Sequence, residues 1–190
     1  MCSQLTRFGA RKGAWAVVTG ATDGIGKEFA SQLAKSGFNI ILVARNKDLL
    51  SQSAAEIGLP SLYLLYFPSD MNVTETKYKV STATHSIDFS KSDEDTYAQF
   101  STLCDGRDIG VLGMCFRKET RISSRYFLVN NVGKSHAMPA YFIDTPQDEI
   151  ADIVAINVNA TLRVTYAILP GMVKRYACCL FLSLYHLQVE

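Results

Sequence analysis

A glycine-rich turn between an apolar run and a helical pattern constrains this chain most. The run Trp15–Thr19 is followed by glycines at positions 20, 24 and 26, after which apolar residues recur at helical spacing. Free amides and a positive dipole end lie at the start of a helix, and side chains there would keep a phosphate away. The pattern therefore predicts a strand–turn–helix that binds a pyrophosphate; the alternative is an ordinary strand-to-helix turn.

The next segments repeat the alternation of strand and helix. Gly37 is placed to cap the first helix, Asn39–Ala44 is β-branched and apolar, and Lys47–Ile57 has a helical pattern. This order predicts a parallel sheet covered by helices on both faces. We therefore expect an α/β fold of the Rossmann type, incomplete at its C-terminus.

The same alternation continues after a break. Lys79–Phe89 is predicted as the third strand, Asp93–Cys104 as a helix, and Ile109–Leu112 as the start of another strand. A basic, polar stretch separates that start from the apolar run Tyr126–Val129. Pro146–Met172 carries a continuous apolar stripe at helical spacing, which predicts a long helix packed on the sheet.

The end of the second strand predicts the type of dinucleotide. A carboxylate at this point favours the free ribose hydroxyl of NAD, whereas a cation favours the 2′-phosphate of NADP. The strand here runs into Arg45 and Asn46 with no acid at its tip. Because guanidinium matches a phosphate in shape and charge, the sequence favours NADP(H); the alternative is a solvated surface arginine.

Composition excludes several other classes of function. The chain has 190 residues, which suits one domain, and a formal net charge of +1, which offers no basic surface for nucleic acid. No stretch approaches the roughly 20 apolar residues of a membrane span, so we expect no membrane-spanning segment. The five cysteines lack the paired spacing of a metal site, so we expect reduced thiols and no metal.

Two motifs together resemble those of the short-chain dehydrogenases: Thr19–Gly26, and Asn130-Asn-Val-Gly133. Longer stretches, at 15–30, 37–45 and 129–136, resemble the fungal very-long-chain 3-oxoacyl-CoA reductases. The resemblance implies NADPH-dependent reduction of 3-oxoacyl-CoA in very-long-chain fatty-acid elongation. It also implies the cytosolic face of the endoplasmic reticulum membrane and a fatty-acid elongase complex as partner.

The resemblance also implies a role for individual residues. The turn would line the pyrophosphate, Arg45 would hold the 2′-phosphate, Asp88 and Phe89 would meet the adenine, and Asn131 and Gly133 would border the adenosine ribose. The implied cofactor-binding set is Gly20, Thr22, Asp23, Gly24, Ile25, Gly26, Arg45, Asp88, Phe89, Asn131 and Gly133.

The catalytic part of the family pattern is only partly present. Asn157 matches the asparagine that helps to hold a proton-relay water; the alternative is a helix residue that bonds neighbouring backbone. The family's serine and Tyr-x-x-x-Lys have no match, since Tyr176 and Tyr185 lack a lysine four residues on. We therefore expect the chain as written to be inactive. The alternatives are an NADP-binding module without catalysis and a non-functional gene-model fragment.

Three stretches depart from the family pattern within one partial domain spanning 1–190: inserts at 58–74 and 113–128, and a tail at 176–190. Removing either insert joins family-like segments. We therefore predict that all three are translated intron sequence; the alternative is genuine loops. Tyr126–Val129 could then replace the interrupted strand. Absence of later strands predicts uncovered apolar surface on the last helix and marginal stability.

Overall fold

The computed structural model describes residues 9–60, 78–107, 109, 128–136, 138–139, 141–173 and 181–182. The strands are β1 Trp15–Thr19, β2 Asn39–Ala44, β3 Leu59–Pro60, β4 Ser81–Ser86, β5 Leu128–Asn130 and β6 Phe181–Leu182. The helices are α1 Gly24–Lys35, α2 Lys47–Ile57, α3 Glu94–Cys104, α4 Gln147–Val154 and α5 Thr161–Val173, with a 3-10 turn at Phe142–Asp144 and a π-helical turn at Ala155–Ala160.

All the strands pair in parallel in one sheet of order β3-β4-β2-β1-β5-β6. Trp15 lies opposite Asn39, and the register continues to Thr19 opposite Val43. The strand order reverses at β1, because β2 and β4 lie on one side of it and β5 and β6 on the other. The predicted α/β fold of the Rossmann type is confirmed.

The sheet has an apolar core on each face, because successive strand residues point to opposite sides. On one face Val18, Ile40 and Leu42 pack with α1 and α2. On the other face Val17 and Ile41 pack with α3 and α5. Both central strands are therefore buried on two sides, which explains why they appear in the sequence as continuous apolar runs.

The first helix ends with a Schellman motif. Gly37 has φ +94° and donates its amide to the Ala34 carbonyl, while the Phe38 amide reaches the Leu33 carbonyl. Gly37 is thus the residue after the cap, and Ser36 is the cap itself. The prediction assigned the cap itself to Gly37, one residue beyond the observed cap. A glycine in the sequence indicates where a helix stops, but it does not show which hydrogen bonds end the helix.

The two predicted inserts affect the sheet differently. Trp15 pairs with Ile109 through an isolated bridge, and Val17 pairs with Leu128, so both ends of the second insert meet the same strand. Tyr126 and Phe127 lie outside the described residues, but β5 supports the predicted replacement strand. At the first insert, Leu59 and Pro60 add a short edge strand beside β4.

The tail at 176–190, which departs from the family pattern, supplies one strand. Phe181 and Leu182 pair in parallel with Val129 and Asn130 and extend the sheet beyond β5. The sequence missed this strand because two apolar residues give no recognisable period by themselves. The expectation that later strands are absent is therefore corrected at this position.

The last helical run departs from the expectation that no stretch of the chain is long and apolar enough to span a membrane. Gln147–Gly171 covers 25 residues and is long and apolar enough to cross a membrane by length and composition alone. The sequence analysis did not identify this helix as a candidate span, because polar residues at helical spacing interrupt its apolar residues. Ala160, Val164 and Ile168 pack in the core, while a second stripe is exposed: Val154, Val158, Leu162 and Tyr166. This stripe is the uncovered apolar surface expected for the last helix.

His85 on β4 is a structural residue with a consequence for stability. Its ring lies 5.9 Å from that of Phe100, and its Nε2 is buried without a hydrogen-bond partner in the described part of the chain. Burial lowers the pKa of His85 below its ordinary value of 6.5.

We expect stability to fall as pH drops below 6.5, because the unfolded chain then binds a proton that folded His85 resists. In His85→Phe this loss should be smaller. Denaturant unfolding at pH 7.5 and 5.5 measures it for both proteins. An equal pH dependence in the variant and the parent protein would contradict this assignment.

Candidate functional site

A cleft of about 500 Å³ lies at the carboxyl ends of the strands, where the strand order reverses at β1. In open parallel sheets, ligands bind at this point. The cleft is lined by Gly20, Thr22, Asp23, Gly24, Ile25, Ala44, Arg45, Ile87, Asp88, Phe89, Ser90, Asn131, Val132, Gly133, Lys134, Asp152 and Ile156. All but one of the residues predicted to bind the cofactor line it, the exception being Gly26.

The three glycines of the turn have different reasons to be glycine. Gly20 and Gly24 have φ of +64° and +50°, a region that side chains disfavour. A Cβ on Gly24 would meet nothing within 4 Å, so its side of the cleft is open to a ligand. A Cβ on Gly26 would lie 2.2 Å from the Gly20 carbonyl oxygen. Gly26 therefore allows the helix to approach the end of the strand. The prediction had given a different reason, namely that a side chain at this position would keep the phosphate away.

The start of α1 attracts negative charge. Asp23 is the N-cap, and its carboxylate accepts a hydrogen bond of 2.7 Å from the Gly24 amide. An anionic oxygen at this place satisfies an amide that has no partner within the helix, and it lies at the positive end of the helix dipole. The geometry of the turn thus fits a phosphate group as its ligand.

Thr19 joins this turn to the loop after β5. Its buried hydroxyl accepts hydrogen bonds from the amides of Asn131, at 3.0 Å, and Val132, at 3.2 Å. The contact links residues more than 110 positions apart. It fixes both walls of the cleft relative to each other.

Replacing Thr19 with valine keeps the shape but leaves two amides without this acceptor. We expect a loss of about 1–3 kcal/mol in the free energy of unfolding, measured by urea denaturation. Thr19→Ser retains the hydroxyl and serves as the control, since it should lose much less. A loss in Thr19→Ser as large as that in Thr19→Val, or larger, would contradict the assignment of this stability to the hydroxyl.

Two of the residues predicted for the adenosine half, Arg45 and Asp88, lie on the same side of β1, whereas Asn131 and Gly133 follow β5 on the other side. Arg45 directly follows β2, and Asp88 follows β4, the neighbouring strand. Asp88 Oδ1 accepts from both the amide and the hydroxyl of Ser90, at 3.1 and 2.8 Å. The Ser90 hydroxyl is the main cause that holds the pKa of Asp88 below its ordinary value, and Lys91 and Arg45 add to it. Asp88 is therefore an ionised acceptor at neutral pH.

Asn131 lines the cleft directly after β5. Its side-chain Nδ2 donates to the Gly20 carbonyl at 3.4 Å, which ties it to the glycine turn. Its Oδ1 is buried and finds no hydrogen-bond partner among the described residues. A buried acceptor without a partner is costly, and a donor from a ligand would satisfy it. Together with the open space at Gly24, this fits a bound dinucleotide.

Asn157 does not line the cleft but supports its wall from the π-helical turn. Its Oδ1 accepts from the Lys134 amide and its Nδ2 donates to the Lys134 carbonyl, both at 2.8 Å. π-Helical turns are frequent at functional sites because they displace a side chain from the regular helical direction. This geometry matches the alternative interpretation of Asn157; its role in holding a water stays a prediction.

Sequence reasoning missed several cleft residues, of which Lys134 and Asp152 are charged. They form an ion pair of 2.7 Å between the loop after β5 and helix α4. Lys134 follows the Asn-Asn-Val-Gly motif directly, which was the available signal. Asp152 gave none, because its approach to the loop depends on how α4 docks.

Comparison with known proteins gives an independent result. The family model described as short chain dehydrogenase matches residues 14–88. A very-long-chain 3-oxoacyl-CoA reductase of Laccaria bicolor is 54% identical over 173 residues, which cover 91% of this chain and 41% of that protein. The one of Coprinopsis cinerea is 56% identical over 172 residues, covering 90% and 41%. The chain thus spans about two fifths of the length of these relatives.

Solved structures agree with the fold. A short-chain dehydrogenase from Sphingobium yanoikuyae in complex with NADPH has a TM-score of 0.59 at 23% identity, covering 85% of this chain and 49% of that one. L-sorbose reductase from Gluconobacter frateurii, complexed with NADPH and L-sorbose, has a TM-score of 0.60 at 21% identity, covering 88% and 51%.

The fold, the glycine turn and these similarities agree with one another. Residues 14–88 are therefore similar to the short-chain dehydrogenases, and about nine tenths of the chain is similar in sequence to the very-long-chain 3-oxoacyl-CoA reductases.

Proposed function

We propose that the chain binds NADPH in the cleft at the carboxyl ends of β1, β2, β4 and β5. The observation that carries this proposal is the glycine turn at the start of α1 with Arg45 at the tip of the neighbouring strand β2. The turn would bind the pyrophosphate through its amides, and Arg45 would bind the 2′-phosphate through its guanidinium. Two proteins of similar fold whose structures were solved in complex with NADPH support the choice of cofactor.

Other cleft residues would orient the adenosine half of the dinucleotide. Asp88, held ionised by Ser90, would accept from the adenine amino group. Asn131 Oδ1, which is buried without a partner in the described residues, would accept from a ribose hydroxyl. Gly133, which lines the cleft, would border this ribose. NADPH supplies a hydride when bound, and these residues place and desolvate it.

We propose further that the function inherited with this cleft is the reduction of a 3-oxoacyl-CoA in very-long-chain fatty-acid elongation. The names of the relatives at 54% and 56% identity support this substrate. We extend the proposal to a location on the cytosolic face of the endoplasmic reticulum membrane and to association with an elongase complex, which the family resemblance of the sequence implies.

A second candidate is a binding module without turnover. No tyrosine in the 190 residues is followed by a lysine four positions on, so the sequence provides no general acid of the family type. We expect the 190-residue chain to bind NADPH and to reduce no 3-oxoacyl-CoA.

The test is a fluorescence titration of the 190-residue chain with NADPH and NADH, followed by an assay with a 3-oxoacyl-CoA. Saturable binding with preference for NADPH supports the cleft assignment. A folded protein, verified by circular dichroism, that binds neither dinucleotide would overturn it. Turnover of the acyl-CoA would contradict the binding-module alternative.

A further inference from the structure

Lys134 and Asp152 form an ion pair inside the cleft. Lys134 Nζ lies 2.7 Å from Asp152 Oδ2, and the two side chains are 35% and 39% exposed. Ion pairs that water reaches this well contribute little to stability. The ammonium can therefore exchange this carboxylate for a better anionic partner at small cost.

The loop that carries Lys134 is fixed without this ion pair. Asn157 holds the amide and the carbonyl of Lys134 at 2.8 Å each. His136 Nδ1 lies 2.9 Å from Glu149 Oε1, one turn earlier on α4 than Asp152. The backbone of Lys134 thus stays in place while its side chain moves, as in a preorganised ligand contact.

The cleft needs more positive charge than Arg45 supplies. Among its lining residues, Arg45 and Lys134 are the cations, while Asp23, Asp88 and Asp152 are anionic. The phosphate groups of NADPH would bring several negative charges into this cleft. Binding is therefore favoured if Lys134 turns from Asp152 to the ligand.

The sheet order indicates which part of the ligand Lys134 meets. Arg45 follows β2 on one side of β1, and Lys134 follows β5 on the other. Neighbouring strands are about 4.8 Å apart, so the two cations belong to strands roughly 10 Å apart. With the 2′-phosphate at Arg45 and the pyrophosphate at α1, the rest of the molecule extends toward β5.

We propose that Lys134 is a second phosphate ligand, which exchanges Asp152 for the pyrophosphate, on its nicotinamide side, when the dinucleotide binds. This inference rests on the proposed function and assigns a residue outside the predicted cofactor-binding set. It predicts that Lys134 contributes to the affinity for NADPH and for NADH alike, because both contain the pyrophosphate. Arg45 should contribute only to the affinity for ligands that carry the 2′-phosphate.

The experiment measures dissociation constants of the 190-residue chain for NADPH, NADH and adenosine 2′,5′-bisphosphate. The last ligand has the 2′-phosphate and the adenosine-side phosphate but lacks the nicotinamide-side phosphate. Lys134→Met should weaken NADPH and NADH about tenfold each and leave the bisphosphate within about twofold. Arg45→Met should weaken NADPH and the bisphosphate but not NADH.

A second variant separates ligand binding from a structural role of the pair. Asp152→Asn frees Lys134 and removes a negative charge from the cleft, so NADPH and NADH should bind about two- to fivefold more tightly. The Lys27–Glu56 pair, at 2.9 Å and similarly exposed, lies outside the cleft lining and provides the control. Lys27→Met and Glu56→Gln should change no dissociation constant.

Three results would overturn the inference: unchanged binding of both dinucleotides to Lys134→Met, an equal loss of the bisphosphate, or equal weakening by Lys134→Met and Asp152→Asn. If the parent chain binds neither dinucleotide, the proposed function itself fails. The two failures are therefore distinguishable.

Discussion

Replacing Gly26 with alanine is expected to abolish measurable NADPH binding and to lower the free energy of unfolding by about 1–3 kcal/mol. The added Cβ would lie 2.2 Å from the Gly20 carbonyl oxygen and 2.4 Å from Asn131 Nδ2. The carbonyl is backbone and cannot turn aside, so the start of α1 must move away from the strand end. The amides of the turn would then no longer point into the cleft.

Gly58 offers a matched control. A Cβ on Gly58 would lie 2.2 Å from the Val80 carbonyl oxygen, an equally close backbone contact outside the cleft lining. We expect Gly58→Ala to lose a similar amount of stability but to keep its NADPH affinity. Urea denaturation and a fluorescence titration measure both quantities. A folded Gly26→Ala protein with the parental affinity would show that the helix start does not bind the phosphate.

Replacing Arg45 with glutamate is expected to weaken NADPH binding by about 100-fold or more and to leave NADH binding nearly unchanged. The change removes a charge-assisted contact to the 2′-phosphate and adds repulsion, whereas a carboxylate can accept from the free hydroxyl of NADH. Such contacts contribute about 1.5–3 kcal/mol each, and 1.4 kcal/mol corresponds to tenfold in affinity. The ratio of the two dissociation constants is the measurement.

Lys47→Glu tests whether any charge change nearby has the same effect. Lys47 lies two residues further along, at the first position of α2, and does not line the cleft. A carboxylate at a helix start is favourable, so this control should remain folded. We expect it to keep the preference for NADPH. A similar reversal in both variants would attribute the preference to the net charge of the region and not to Arg45.

The sequence by itself predicted the elements that have a period or a stop signal. β1, β2 and α2 lie where their patterns placed them, because a parallel strand buried on both faces must be continuously apolar and an amphipathic helix must repeat its apolar face. The residues after β1 and β2 were predicted as site residues because a glycine turn at a helix start suits a pyrophosphate and an arginine suits a 2′-phosphate. In a parallel sheet the residues at the carboxyl ends of neighbouring strands necessarily meet.

Tertiary structure decided what depends on contacts between distant segments. The hydroxyl of Thr19 reaches amides more than 110 residues away, and Gly26 is required by a carbonyl on another element. Lys134 approaches Asp152 only because Asn157 and the π-helical turn hold the loop against the helix. Periodicity reports which face of an element is buried, but it carries no information about the partner it is buried against. The sequence therefore indicated which residues follow the strand ends, and the tertiary structure was needed to show which contacts hold them around the cleft.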